Sequence, residues 1–195
     1  MSLKDKISYL EIVLILICLI IGIQSFFMNA SFNKRISTLE YYQEMNKPNI
    51  MWLINSMETM FTMSSYDYLN LIDVYSKQYC TPNSIKAYRE ILTRLGAMTQ
   101  LSQEGVVQTT TITSPPIAYM RSISEAPDKN YGFSEKIHYK VDAHIIYQSG
   151  ATVISVLDVT FNVAIARIQL KDNSSYIITD LDVASVKNDE SRLRR

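Results

Sequence analysis

The sequence predicts a single membrane-spanning helix followed by one α+β domain, and three features carry that prediction. Ile12 to Met28 is an apolar run in which Gln24 is the one strongly polar side chain. From Pro48 to about Gly105, apolar side chains recur every three or four residues, the period of helices. Beyond Gly105 the period drops to two and Val, Thr, Ile and Tyr dominate, which is strand chemistry. Helices and then strands, without strand-helix-strand alternation, place the helices over one face of a curved antiparallel sheet.

A helix rises about 1.5 Å per residue and a bilayer core is roughly 30 Å thick, so a span takes about 20 residues. Ile7 to Met28 supplies that length, and Glu11 is the only charged side chain between Lys6 and Lys34. The span is expected over residues 11–29, after a short N-terminal segment of residues 1–10. A cleaved secretory signal competes with this reading, because Lys4 and Lys6 precede the apolar core. The length of the run, and a Met28-Asn29-Ala30-Ser31 sequence unlike an A-x-A cleavage site, favour an uncleaved anchor. Lys4 and Lys6 on one side balance Lys34 and Arg35 on the other, so charge does not select the orientation.

Residues 30–47 form the expected stalk. Phe32, Ile36 and Leu39, followed by Tyr42 or Met45, stand three or four apart among polar residues, which is a helical stripe. Such a stripe is either a self-associating juxtamembrane helix or a plain continuation of the span. The first reading makes Phe32, Ile36 and Leu39 the candidate self-association residues.

Of the 195 residues, about 140 remain for a domain spanning 48–186, which suits one core rather than two. Nineteen basic and 19 acidic residues cancel. Without a basic excess, bulk charge does not drive nucleic-acid binding, and no direct contact with nucleic acid is expected. Two cysteines, Cys18 in the span and Cys80 in the domain, cannot build a disulfide framework within the domain.

Pro48 suits a first helical turn, and Ile50, Leu53, Ile54, Met57, Met60 and Phe61 then line one face, which Met51 and Trp52 widen. Ser64 or Ser65 offers the cap of a second helix, marked by Tyr68, Leu71, Ile72, Tyr75 and Tyr79. Thr81-Pro82 opens a third, because Thr81 can cap free amides and Pro82 lacks the donor that would be orphaned. Ile85, Tyr88, Ile91, Leu92 and Leu95 mark its buried face, and it either stops at Gly96 or runs on toward Gly105.

Val106 to Thr113 is the first strand; Ser114-Pro115-Pro116 bends or interrupts it before a second segment from Ile117 to Ser124, and since proline cannot donate to a ladder, Pro115 and Pro116 sit at an edge or between strands. After a polar loop from Glu125 to Ser134, Ile137, Tyr139, Val141, Ala143 and Ile145 alternate with His138, Lys140, Asp142 and His144, so one face is buried and one wet. Ser149-Gly150 makes a turn, and Val153, Leu157, Val159, Phe161, Val163 and Ile165 line the odd face of a long strand. Lys171 to Ser175 turns again, Tyr176 to Val183 closes the sheet, and a charged tail follows over 187–195. Three helices on a curved antiparallel sheet make the expected architecture a nuclear-transport-factor-2-like cone.

Chemistry-bearing patterns are few. His138 and His144 share a strand face but lie about 20 Å apart, too far to share a metal. Glu58, Asp67, Asp73 and Glu90 show no paired-carboxylate spacing, and the glycine-rich, zincin, nucleophile-elbow and C-x-x-C motifs are missing from the sequence. A cone pocket could hold an acid of raised pKa as a proton shuttle, with Asp142 and Asp158 as candidates, although both fall on the even, solvated faces of their strands. The expectation is no catalytic residue, no cofactor and no metal.

Tyr79-Cys80-Thr81-Pro82 followed by Ser84 to Leu92, and Ile145-Ile146-Tyr147-Gln148-Ser149 between two long strands, resemble the DotI/IcmL family of type IVB secretion systems, related to the TraM conjugation proteins. The resemblance covers roughly residues 50–183 and rests on the order of span, linker, helices, Thr-Pro turn and strands. It departs from the pattern in its short segment before the span and in a stalk without a proline-rich stretch. It implies a bitopic inner-membrane protein with a periplasmic domain, a homo-oligomer and a scaffold in contact with other secretion-system subunits, and it carries no catalytic residue across. A membrane-anchored small-molecule binder or enzyme using the cone pocket is the competing reading.

Overall fold

The computed structural model describes residues 47–124, 128–169 and 174–188, all within one compact unit that runs from Asn46 to Arg195. The expected span and stalk, with Phe32, Ile36 and Leu39, lie outside the described residues, and no described helix is long and apolar enough to cross a membrane. Four helices are described: α1 (Pro48–Met60), α2 (Tyr68–Tyr79), α3 (Pro82–Arg94) and α4 (Ala97–Leu101). The strands are β1 (Met63–Ser64), β2 (Val106–Ile112), β3 (Ile117–Ile123), β4 (Glu135–Ser149), β5 (Thr152–Gln169) and β6 (Ser174–Asn188).

Pro48 and Pro82 begin α1 and α3 as the proline rule requires, each filling a position whose N–H would have no helical acceptor. Ile50, Leu53, Met57 and Met60 of α1 are buried, whereas Met51, counted with the apolar face, turns outward at 46 % exposure. Trp52 is half-buried against the rings of Tyr79 and Tyr176, at 6.2 and 5.7 Å between centroids. The capping assignments need correction. Ser64 pairs in β1 and donates to Asp67 Oδ1 at 2.8 Å, Ser65 Oγ accepts from the Gly105 N–H, and Asp67 stands at the cap of α2. Burial of Met63 against β2 pulls this segment into the sheet, and the helix starts later. Thr81 occupies the cap position of α3, but its hydroxyl meets Ser84 Oγ at 3.0 Å rather than an orphan amide. Ser84 in turn donates to the Ile178 carbonyl at 2.7 Å, which ties the start of α3 to β6. At Gly96, φ is +74°, a left-handed conformation that ends α3 and lets the short α4 begin.

The sheet is antiparallel in the order β1-β2-β4-β5-β6, with β3 also on β4. β2 and β3 run along the same side of β4. Ile112 faces Ala143 and Ile117 faces Lys140, so five steps of one strand cover three of the other, and Ser114-Pro115-Pro116 fills the excess. The prolines thus sit between strands, where no ladder donor is lost. Three bulges bend the long strands. The first, after Tyr147-Gln148, gives β5 an extra residue, Ile154. Val153 therefore pairs with Gln148 on the outer face, whereas Leu157 to Ile165 keep the face of Ile145 to Ile137, which corrects the expected row. The other two make Thr179 and Ala184 the extra residues of β6, and the Thr179 hydroxyl fills the first gap by donating to the Ala164 carbonyl at 3.2 Å. Bulges of this kind raise local twist and curl a sheet. β6 runs to Asn188, five residues past Val183, because Val186 pairs with Val159 and Lys187 with Asp158.

One buried cluster joins all four helices to the sheet, through residues such as Leu53, Ile72, Tyr88 and Leu101. The mixed architecture of helices on a curled antiparallel sheet fits the nuclear-transport-factor-2-like α+β fold, in agreement with the sequence.

Candidate functional site

In a cone of this kind the natural place for chemistry is the interior, and here side chains occupy it. Phe61, Tyr88, Tyr147 and Phe161 are fully buried with Leu53, Met57, Met60 and Leu92. Phe61 meets Phe161 at 4.9 Å and Tyr88 edge-on at 5.3 Å between centroids, a packed aromatic triplet. The polar atoms among them serve the backbone. The Phe61 carbonyl, past the end of α1, accepts from Gln108 Nε2 at 2.8 Å and from Thr110 Oγ1 at 2.6 Å. The Tyr88 hydroxyl donates to the Met60 carbonyl, and that of Tyr147 to the Leu95 carbonyl at 3.2 Å. These carbonyls end helices and have no helical partner, so the core supplies what water supplies elsewhere. Burial pushes both tyrosine pKa values up, which keeps the hydroxyls protonated as donors.

The two acids considered as proton shuttles stand on the outer face instead. Asp142 accepts from Thr160 Oγ1 at 2.7 Å, and Asp158 pairs with His144 Nδ1 directly across from it on β4. His138 contacts Ser122 Oγ through Nε2 at 3.0 Å and Tyr119 by its ring. All four side chains are half-buried on the wet face that strand alternation assigned them, with the two histidines six residues apart along one strand. The structure brings His144 and Asp158 together, but as one surface pair rather than a constellation around a pocket.

One cleft of about 340 Å³ opens near the start of α1, lined by Asn49, Phe133, Glu135, Ile137, Arg167 and Tyr176. Asn49 Nδ2 donates to the Tyr139 hydroxyl at 2.6 Å on its floor, and Glu135 is held by Arg121. The Glu135 carboxylate is therefore engaged in pairing β3 to β4.

Cys80 is buried where the chain leaves α2 and bridges to Ile178 of β6. Burial pushes its thiol up to about 12, against the opposing effect of a hydrogen bond with Ser84. A thiolate is the reactive form, so the folded domain is expected to resist a thiol-alkylating reagent at pH 8 and to react once unfolded in urea. The neutral thiol is favoured by folding, so its contribution is intact below the ordinary thiol pKa and falls away as pH rises from about 9 toward 12. Alkylation counted by mass spectrometry with and without urea checks this; equal labelling would contradict the burial.

Sequence reasoning placed Pro115 and Pro116 at an edge or between strands, but it identified neither the edge position of the following strand nor the exposure of its apolar side chains. Ile117 is 61 % exposed, Tyr119 54 %, Met120 48 % and Ile123 73 %. Their composition signals a strand, and only the topology shows that nothing described packs on it.

No protein-family model and no curated protein sequence matches the chain. Solved structures do match in fold. An IcmL-like type IV secretion system protein from Legionella pneumophila aligns with a TM-score of 0.54 at 10 % identity, over 72 % of this chain and 91 % of that one. The periplasmic domain of DotI aligns at 0.58 and 14 % identity, over 71 % and 94 %. A periplasmic fragment of TraM aligns at 0.57 and 13 % identity, over 72 % and 96 %. The described domain therefore shares the fold of the IcmL-like, DotI and TraM periplasmic domains, the group its Thr-Pro and Tyr-Gln-Ser turns resemble.

Proposed function

We propose that the chain is a single-pass inner-membrane component of a type IV secretion or conjugation machine, in which residues 11–29 anchor a periplasmic domain that works by protein contacts. The observation that carries this is the shared fold, which spans more than nine tenths of each of the three solved domains. The filled cone supports a scaffold over a binder or enzyme, since buried aromatic side chains take the volume a ligand would need. In this reading residues 30–47 form the stalk, and Phe32, Ile36 and Leu39 pack copies together beside the membrane. Anchoring fixes orientation and raises local concentration, so weak contacts among copies and other subunits assemble without high isolated affinity.

Protease treatment of spheroplasts carrying the full-length chain, with mass determination of the detergent-extracted particle, tests the proposal. Digestion of the domain from outside and a defined oligomer are expected. Protection of the domain inside the cell, or a monomer carrying a small molecule, would overturn it.

A further inference from the structure

We propose that β3 is the edge at which two copies of this chain pair, antiparallel and about a two-fold axis beside Tyr119 and Met120. The contrast along one side of β4 motivates this. Over β2 the outer edge is covered: Gln108 and Val107 pair with β1, the Thr110 N–H donates to Thr62 Oγ1 at 3.1 Å, and the Ile112 N–H donates to Glu58 Oε1 at 2.9 Å. Past the two prolines, no described strand or side chain takes the outer edge of β3. Monomeric proteins blunt such edges with charge, proline or bulges, and β3 follows Pro115-Pro116 and carries a bulge at Tyr119. Here the one charged side chain, Arg121, is held by Glu135 of β4, and four apolar side chains are left exposed.

The bulge decides what fits this edge. β3 carries Tyr119 as an extra residue opposite His138, so Tyr119 joins Ile117, Met120 and Ser122 on the outer face, while Ala118 and Arg121 take the other. Cross-strand partners must share a face. The register that sets Tyr119 against the Met120 of a copy satisfies this throughout, pairing Ile117 with Ser122 and Ala118 with Arg121. Shifting by one residue sets Ile117 against Ile123, which face opposite sides. A copy of this chain is thus complementary to the strand in a defined register, and the two apolar patches become continuous across the axis. Seven residues per strand bury far less than the roughly 1,200 Å² of a stable free interface, so pairing needs the high effective concentration of tethered chains. In that clause the inference rests on the anchored reading above.

Single cysteines in the full-length chain, in a Cys18→Ser background with Cys80 left buried, test it by oxidative cross-linking in membranes. Tyr119→Cys and Met120→Cys lie about 6 Å from their symmetry mates, within disulfide reach. Ile117→Cys lies about 17 Å from its own and serves as the internal control. A dimer of twice 22.4 kDa from the two central positions, absent at Ile117 and absent when Met120→Lys is added to Tyr119→Cys, is the expected result. Cross-linking at all positions alike, at none, or persisting with the lysine would overturn the pairing, provided circular dichroism shows each variant folded. A membrane-permeant oxidant reads the dimer on either side of the membrane, so a wrong topology and a wrong interface are told apart.

Discussion

Deletion of residues 1–46 is expected to leave a folded, soluble domain and to abolish sedimentation with membranes completely. Every described residue of the buried cluster lies between Ile50 and Val183, inside the compact unit that begins at Asn46. The deleted segment holds the chain's only run near 20 apolar residues, and no described helix could replace it as a span. The measurement is fractionation of cells expressing each form, with circular dichroism and gel filtration of the truncated one. The truncated domain is also expected to run as a monomer, because it lacks the tether. A truncated chain that still pellets with membranes would refute the anchor.

Phe161→Ala, made in that domain, is expected to destabilise it by about 3–5 kcal/mol. The ring is fully buried at the middle of the longest strand, flanked by Val141 on β4 and Val183 on β6, and it packs at a tilt against Phe61. Its loss removes transfer energy and also leaves a cavity, since strands bonded on both sides cannot collapse inward. Such a loss is a large part of the 5–15 kcal/mol that holds a domain together, so the urea midpoint should fall steeply. An unchanged midpoint would mean that the cone is not packed around this ring and would return the interior to consideration as a binding site.

The Phe161 expectation depends on the packing of side chains in the interior of the domain. Carbonyls at the ends of α1 and α3 accept from Gln108, Thr110 and Tyr147 of the sheet and from Tyr88 of α3, so these side chains join helices to sheet and helix to helix. On the described surface the chain exposes apolar side chains along β3 and on α2 at Leu69 and Val74.

Much of this architecture is local information and can be read from the chain. Helical spacing from Ile50 to Phe61, the prolines at 48 and 82, and strict alternation from Ile137 to Ile145 each follow from side chains close in sequence. So does the wet face of His138, Asp142 and His144, because a strand's period of two needs no partner to define it.

Tertiary structure decided the rest, because it depends on the register between distant segments. The extra residue at Ile154 turns Val153 outward and sets Asp158 against His144, and neither strand alone reveals which residue will be the extra one. The same holds for β6, where bulges at Thr179 and Ala184 space the buried Ile178, Leu181 and Val183 at intervals matching neither helix nor strand. Whether an edge is covered is a longer-range matter still. Glu58 caps the Ile112 N–H from 54 residues away, and nothing described does so for β3. Periodicity assigns each side chain a face, but only the packed chain determines what that face meets.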